Sequence, residues 1–302
     1  MKHKEFKRLF LFVFLIFIGC NDTREVNSQV NENSDQLFTT WISSVKLPDK
    51  LELFGEKIPL DVPEVRERAE REFYVNLQTP GQVILYLKRA GKYFELFDKV
   101  IRENNMPEDL KFLSVAESAL YMSRSPKDAV GLWQFIPETG RKMGLQIDEF
   151  VDERRHPEKS TQAAMKYLKM GYQSHKSWIL AAAGYNMGHL NVTDNREFQT
   201  TDNFFDMFLN EETSRYILRI AIIKELMTNP DKYGFRLKQE DIYKPDKFKI
   251  VTCETAVPNL AEWAKAQGTS YKDVKILNPW ILKRQLPAPP KGKNYEIAIP
   301  SK

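Results

Sequence analysis

The sequence predicts a mainly α-helical chain that closes in a small βααβ module. Three observations predict it. Apolar residues recur at intervals near three and four from Glu64 to Asn104. No convincing strand pattern interrupts residues 64–240. After Gly234 the composition shifts, and two β-like runs, Phe248-Lys249-Ile250-Val251 and Tyr295-Glu296-Ile297-Ala298-Ile299, bracket two short helical stretches.

The chain begins with a cationic patch (Lys2, Lys4, Lys7, Arg8), then the apolar run of residues 9–18, then Gly19-Cys20 and polar sequence. That is the layout of an export signal, and the run is too short to span a bilayer comfortably. Phe17-Ile18-Gly19-Cys20 resembles a bacterial lipobox, whose cysteine becomes the lipidated first residue after cleavage. An ordinary signal with an incidental cysteine is the alternative. Residues 1–19 are thus expected to be a lipoprotein signal and Cys20 the lipid site. Residues 20–45, polar through Gln36 and poor in aromatics there, are expected to tether the fold to a membrane.

The remaining elements follow in order. Pro48, Pro59 and Pro63 make residues 46–63 an extended wrap. Val83, Tyr86, Leu87, Tyr93, Phe94, Phe97 and Val100 give residues 64–104 a helical pattern, punctuated by Gly81 and Gly91. Pro107, Glu108 and Asp109 suit the start of a helix running to about Tyr121. Further helices are expected at 159–173, 177–187 and 211–228. The folded body should span 46–240 and the terminal module 245–302, with helices at Asn259–Gln267 and Tyr271–Leu277.

Composition bounds the partners. The 302 residues carry 45 basic and 41 acidic side chains, a net charge of +4, with no dense basic block past residue 8. No nucleic-acid partner is expected, though an anionic polymer would attract the chain weakly. The four histidines and two cysteines form no ligand spacing, so no metal or other cofactor is expected. Cys253 reads as a buried or inert thiol.

One residue does not fit its helix. Leu110, Leu113, Glu117 and Leu120 share a face, and three of them are core leucines. A carboxylate on an apolar stripe loses hydration, which raises its pKa and lets it hold a proton for donation. A glutamate whose head reaches water or an arginine is the plainer alternative. The surrounding motifs bear on that choice: Glu117-Ser118, Ser125, Gly131-Leu132-Trp133-Gln134-Phe135, Ala181-Ala182-Ala183-Gly184-Tyr185-Asn186-Met187-Gly188 and Glu212-Thr213-Ser214-Arg215-Tyr216. Singly, each could be packing.

In this order, over residues 90–230, they resemble the lytic transglycosylases of the soluble-lytic-transglycosylase type, close to the membrane-bound murein transglycosylase D group. The resemblance implies a lysozyme-like, goose-type all-α fold and cleavage of peptidoglycan glycan strands. It makes Glu117 the catalytic acid and base. It places Ser118, Ser125, Gln134, Tyr185, Asn186, Glu212 and Tyr216 on the substrate. The segment between Ser118 and Gly131 is one residue shorter than the family's commonest pattern and lacks its Asn-Pro, which leaves Ser123 as the alternative to Ser125. Gly184 stands where the family usually has Ala.

The same resemblance implies a reaction without water. Glu117 would protonate the oxygen between MurNAc and GlcNAc. It would then take the proton of the MurNAc C6 hydroxyl, whose oxygen closes a 1,6-anhydro ring on C1. Two alternatives stay open: a goose-type lysozyme-like hydrolase, needing a second carboxylate such as Asp148 or Asp152, and an inactive wall-binding scaffold. Trp133 and Tyr185 are candidates for sugar packing or for core.

The terminal stretch resembles a LysM repeat, a peptidoglycan-binding module, best at Leu277-Asn278-Pro279 and Ile299-Pro300. It reads Cys253-Glu254-Thr255 where Gly-Asp-Thr is usual, so a module that only packs on the body is the alternative to one that binds sugar. The implied location is the cell envelope, lipid-anchored at the outer membrane and facing the periplasm.

Overall fold

A computed structural model describes residues 34–301, in two compact units that part at Lys46/Leu47. In the first unit, helix α1 (34–44) occupies the end of the segment read as a tether, a correction for those residues. The predicted signal and Cys20 lie outside the described residues. Among the described residues, no helix is long and apolar enough to cross a membrane.

The second unit opens with the predicted wrap. Leu47, Leu51, Leu53, Phe54, Ile58 and Leu60 are buried, and a short hairpin pairs β1 (Glu52–Leu53) with β2 (Glu56–Lys57). The helical pattern over 64–104 is two helices, not one. Pro80 starts α3 (Pro80–Glu103) directly after α2 (Pro63–Gln78), because proline is accepted in a first turn but not inside a helix. Gly91 does not break α3. A Cβ there would meet Ile242 and the Tyr243 carbonyl, so the glycine admits a strap that donates Tyr243 N–H to the Lys88 carbonyl at 3.0 Å.

The helix expected from Pro107 to Tyr121 is shorter. A 3-10 turn (Glu108–Leu110) leads into α4 (Lys111–Ser118), which stops because Ala119 and Leu120 adopt left-handed backbone with φ of 53° and 55°. Arg89 Nη1 holds the Ala119 carbonyl at 2.9 Å. Leu120 is still buried, but reaches the core from this turn and not from the helix.

Then come α5 (Pro137–Lys142), α6 (Pro157–His175), α7 (Trp178–Met187), α8 (His189–Gln199) and α9 (Glu211–Thr228). α5 and α8 were not foreseen. α8 buries only Val192, so its sequence shows no apolar period. α9 is the axis of the body: Ile217, Leu218, Ile220, Ala221, Ile222 and Ile223 are all buried, and α2, α3, α4 and α7 pack on it. Ala181, Ala182 and Ala183 let α7 approach its neighbours closely.

The terminal stretch has the predicted order: β3 (Phe248–Cys253), α10 (Leu260–Ala266), α11 (Tyr271–Leu277) and β4 (Tyr295–Pro300), with β3 antiparallel to β4 from Phe248↔Pro300 to Cys253↔Tyr295. Asn278, fully buried, ties α11 to β4 by exchanging hydrogen bonds with Ala298 at 2.7 and 2.8 Å. Cys253 is a buried free thiol. The module is docked, not strung out. Val151 lies in its apolar core and forms a bridge with Ile281, while the Trp280 and Phe150 carbonyls accept from Asp152 and Leu282.

Candidate active site

Glu117 is the penultimate residue of α4, and α4 packs on α9. Its carboxyl is half-buried and faces a cleft of about 610 Å³ between the 125–136 loop, α7 and the start of α9. Tyr216, buried on α9, donates its hydroxyl to Glu117 Oε1 at 2.5 Å. Desolvation pushes the Glu117 pKa up to about 7; the Tyr216 hydrogen bond and the Arg219 charge oppose this, and Glu212 adds to it. Burial and the facing Glu117 charge hold the Tyr216 and Tyr185 hydroxyls well above the usual phenol range, so both remain protonated donors.

The cleft brings together most of the predicted residues. Ser125, Gln134, Tyr185, Asn186 and Glu212 line it with Glu117. Tyr185 donates to the Trp133 carbonyl at 2.6 Å, which fixes its ring at the cleft wall. Asn186 accepts from Thr213 Oγ1 at 2.9 Å and donates to Glu212 Oε1 at 3.4 Å, coupling the end of α7 to the first turn of α9. Of the two serine alternatives, Ser125 lines the cleft. Ser123 instead accepts from Gln134 Nε2 at 3.2 Å, holding the glutamine side chain together with the Gly131 carbonyl at 2.8 Å.

Ser118 is a correction. One residue along an α-helix turns the side chain about 100° away, and its hydroxyl is buried against the Leu132 and Ser114 carbonyls at 2.8 and 3.1 Å. It anchors α4 to the loop and does not line the cleft. Trp133 is core: fully buried, it donates Nε1–H to Thr161 Oγ1 at 2.9 Å.

The loop is held from behind by Arg154, whose role no sequence pattern signals. Its guanidinium is buried, pairs with Asp152 at 2.8 and 2.9 Å and donates to the Asp128 and Phe135 carbonyls at 2.6 and 3.0 Å. Gly131 is obligatory here, because its φ is +88° and a Cβ would strike the Arg154 carbonyl. The sequence reading also missed Tyr167 and Thr139 as cleft residues. Tyr167 packs against Tyr185 with ring centroids 5.6 Å apart.

Neither Asp148 nor Asp152 lines the cleft. Asp152 is taken by Arg154, and Asp148 accepts the Phe150 and Val151 backbone N–H groups at 2.8 and 2.9 Å. The second carboxylate in the cleft is Glu212, exposed at the start of α9. Behind α9, buried Glu72 of α2 accepts from Arg215 Nε at 2.6 Å and Arg219 Nε at 3.1 Å.

Comparison with known proteins agrees with this geometry. Residues 96–208 match the family described as the transglycosylase SLT domain, and residues 249–302 match the soluble lytic transglycosylase C-terminal LysM-like domain. Two curated relatives, the membrane-bound lytic murein transglycosylase D of Escherichia coli (strain K12) and that of Escherichia coli O6:H1 (strain CFT073), are each 26% identical over 314 aligned positions. Each alignment covers 97% of this chain and 67% of the relative.

Proposed function

We infer that this chain, which carries a transglycosylase SLT domain and a C-terminal LysM-like domain, is a lytic transglycosylase acting on peptidoglycan, with Glu117 as its acid and base. The observation that carries the residue assignment is a half-buried glutamate, raised to about 7, at the wall of a cleft large enough for sugar rings. Near neutral pH such a group is split between its acid and base forms, the condition for donating and then recovering a proton.

In this reading Glu117 protonates the glycosidic oxygen between MurNAc and GlcNAc, and the C1–O bond breaks toward an oxocarbenium-like centre. The resulting carboxylate takes the proton of the same sugar's C6 hydroxyl, and that oxygen bonds to C1. The proton count closes with no water consumed. Tyr216 steadies the ionised form of Glu117 between the two steps. Ser125, Gln134, Tyr185 and Asn186 position the sugar so that the intramolecular attack gains from proximity. Glu212 belongs to the same wall, and its carboxylate makes a hydrolytic outcome the second reading.

Anchorage follows the sequence. Cys20 would carry the lipid and hold the enzyme in the cell envelope, at the outer membrane and facing the periplasm, and the LysM-like module would add a second grip on glycan.

The test is mass spectrometry of fragments released from purified peptidoglycan, beside a Glu117→Gln control. Fragments ending in 1,6-anhydroMurNAc, absent with the control, are expected. Free reducing ends would replace the lyase by a hydrolase using Glu212. Glycan bound without release would leave a scaffold.

A further inference from the structure

The turn that ends α4 stands between the cleft residues. Glu117 precedes it by two positions, and Ser125 and Gln134 follow it. Ala119 and Leu120 both adopt left-handed backbone there, although each carries a Cβ that disfavours it. Within the turn, Tyr121 N–H donates to the Ser118 carbonyl at 2.9 Å and Ser123 N–H to the Tyr121 carbonyl at 2.8 Å. The chain then returns to α4, where the Leu132 carbonyl accepts from the Ser118 hydroxyl, and Gly131 N–H donates to the Ser123 carbonyl at 3.1 Å.

A further tie comes from α3. A helix leaves its last carbonyls without partners of its own, and the Ala119 carbonyl is met by Arg89 Nη1 at 2.9 Å. The same guanidinium lies over the Tyr121 ring, 5.2 Å from its centroid. One side chain thus holds the turn at two points, and its charge suits the negative end of the α4 dipole.

We propose that Arg89 is a positioning residue for Glu117: it holds α4 to an abrupt left-handed stop and so fixes how deep the Glu117 carboxyl sits in the cleft wall. The kinetic part of this rests on the transglycosylase reading; the placement of the carboxyl does not. Without Arg89 the turn relaxes toward ordinary backbone, and the carboxyl gains water. Desolvation is the largest cause of the raised Glu117 pKa, so that pKa should fall from about 7. A direct role of the Arg89 charge has the opposite sign, because removing a nearby cation raises a carboxyl pKa. The groups facing Glu117 are Tyr216, Arg219 and Glu212 of α9 and Tyr185 of α7. From α3 the Arg89 charge bears on Tyr86 and Tyr93.

The experiment titrates the full chain, labelled with carboxyl-13C glutamate, by NMR. The Glu117 signal is identified by its absence from Glu117→Gln, and kcat and KM are measured on glycan strands. Arg89→Met should lower the Glu117 midpoint by about one pH unit. It should cut kcat by about 10- to 100-fold with KM within about twofold, as for a displaced catalytic group. Arg89→Lys, which keeps the charge and a donor, should recover part of both. Ala119→Gly added to Arg89→Met should restore most of the loss, because glycine accepts left-handed backbone without being held. A midpoint that rises overturns the proposal, since the charge would then act directly. A midpoint that stays at about 7 overturns it too, as does a fall that Ala119→Gly leaves uncorrected. Should Arg89→Met not fold, Arg89→Lys with and without Ala119→Gly is judged by the same midpoints. A chain that titrates as expected but cleaves no glycan upholds the placement of Glu117 and removes the transglycosylase reading.

Discussion

Tyr216 Oη and Glu117 Oε1 lie 2.5 Å apart, with the phenol donating to a carboxylate whose pKa is raised to about 7. A hydrogen bond to the charged form favours ionisation, so this contact pulls against the desolvation that dominates. Removing it by Tyr216→Phe should raise the Glu117 pKa further. The alkaline limb of kcat/KM should then move up by roughly one pH unit while kcat falls, since the carboxylate needed for the second proton transfer loses its donor. A pH–rate profile that does not move would remove Tyr216 from the proton chemistry.

Glu117 should also leave a mark on stability. Its folded pKa, about 7, lies above the ordinary 4.5, so the folded state holds a proton that the unfolded chain releases between those values. Its contribution is most favourable below pH 4.5 and is lost as pH rises through 7. At 1.36 kcal/mol per unit the loss amounts to about 3 kcal/mol by pH 8. Glu117→Gln should flatten this slope in denaturant melts taken from pH 4.5 to 8. It should also cut turnover by about 10²- to 10⁴-fold, the range for a lost general acid.

Glu72 reaches the site through Arg219. Buried on α2, it accepts from Arg215 and Arg219 while making no contact with the cleft. Glu72→Gln would leave Arg219 without its counter-charge, while Arg215 keeps Glu211 at 2.8 Å. The fold should lose about 1–3 kcal/mol, because the guanidinium groups left behind still reach solvent. Arg219 already favours the ionised form of Glu117, and its uncompensated charge should move the alkaline limb down. Opposite limb shifts in Glu72→Gln and Tyr216→Phe, measured side by side, would distinguish electrostatic coupling from general loosening.

Gly184 and His189 form a matched pair. The His189 ring fills the slot left by Gly171 and Gly184, and a Cβ on either glycine would fall on that ring. Gly184→Ala should therefore destabilise by about 1–3 kcal/mol, in the range for overpacking, and lower activity by displacing neighbouring Tyr185. Adding His189→Ala should recover much of both. A double-mutant cycle with no coupling would show that the slot tolerates the methyl group by other means.

Legibility in the sequence followed physical signal. α3, α6, α7 and α9 bury broad apolar faces, and their spacing announced them, whereas α8 buries Val192 alone and was invisible. Glu117 was legible as a carboxylate on a leucine stripe. Ser118 was misread because adjacency in a motif suggested adjacency in the site, while helix geometry turns it into the core. Gly184 looked like a minor change from alanine, since nothing local says that His189 fills the space. Arg154 and Tyr167 carried no signal. A buried arginine and a cleft tyrosine look, in one dimension, like any surface arginine and any core aromatic.

Under the proposed function, the docking of the C-terminal module changes how a second grip on the strand would combine with the cleft's. A module on a flexible linker searches a volume, and its benefit is set by effective concentration. Here the Val151–Ile281 bridge and the Asp152 and Leu282 backbone hydrogen bonds fix the spacing between the catalytic cleft and the module. Little chain entropy is lost when a second contact forms, and a strand whose repeat does not match gains nothing from it. With both grips engaged, such a chain would meter its polymer by pitch, so the spacing of repeats along the strand should matter more to it than the local abundance of glycan.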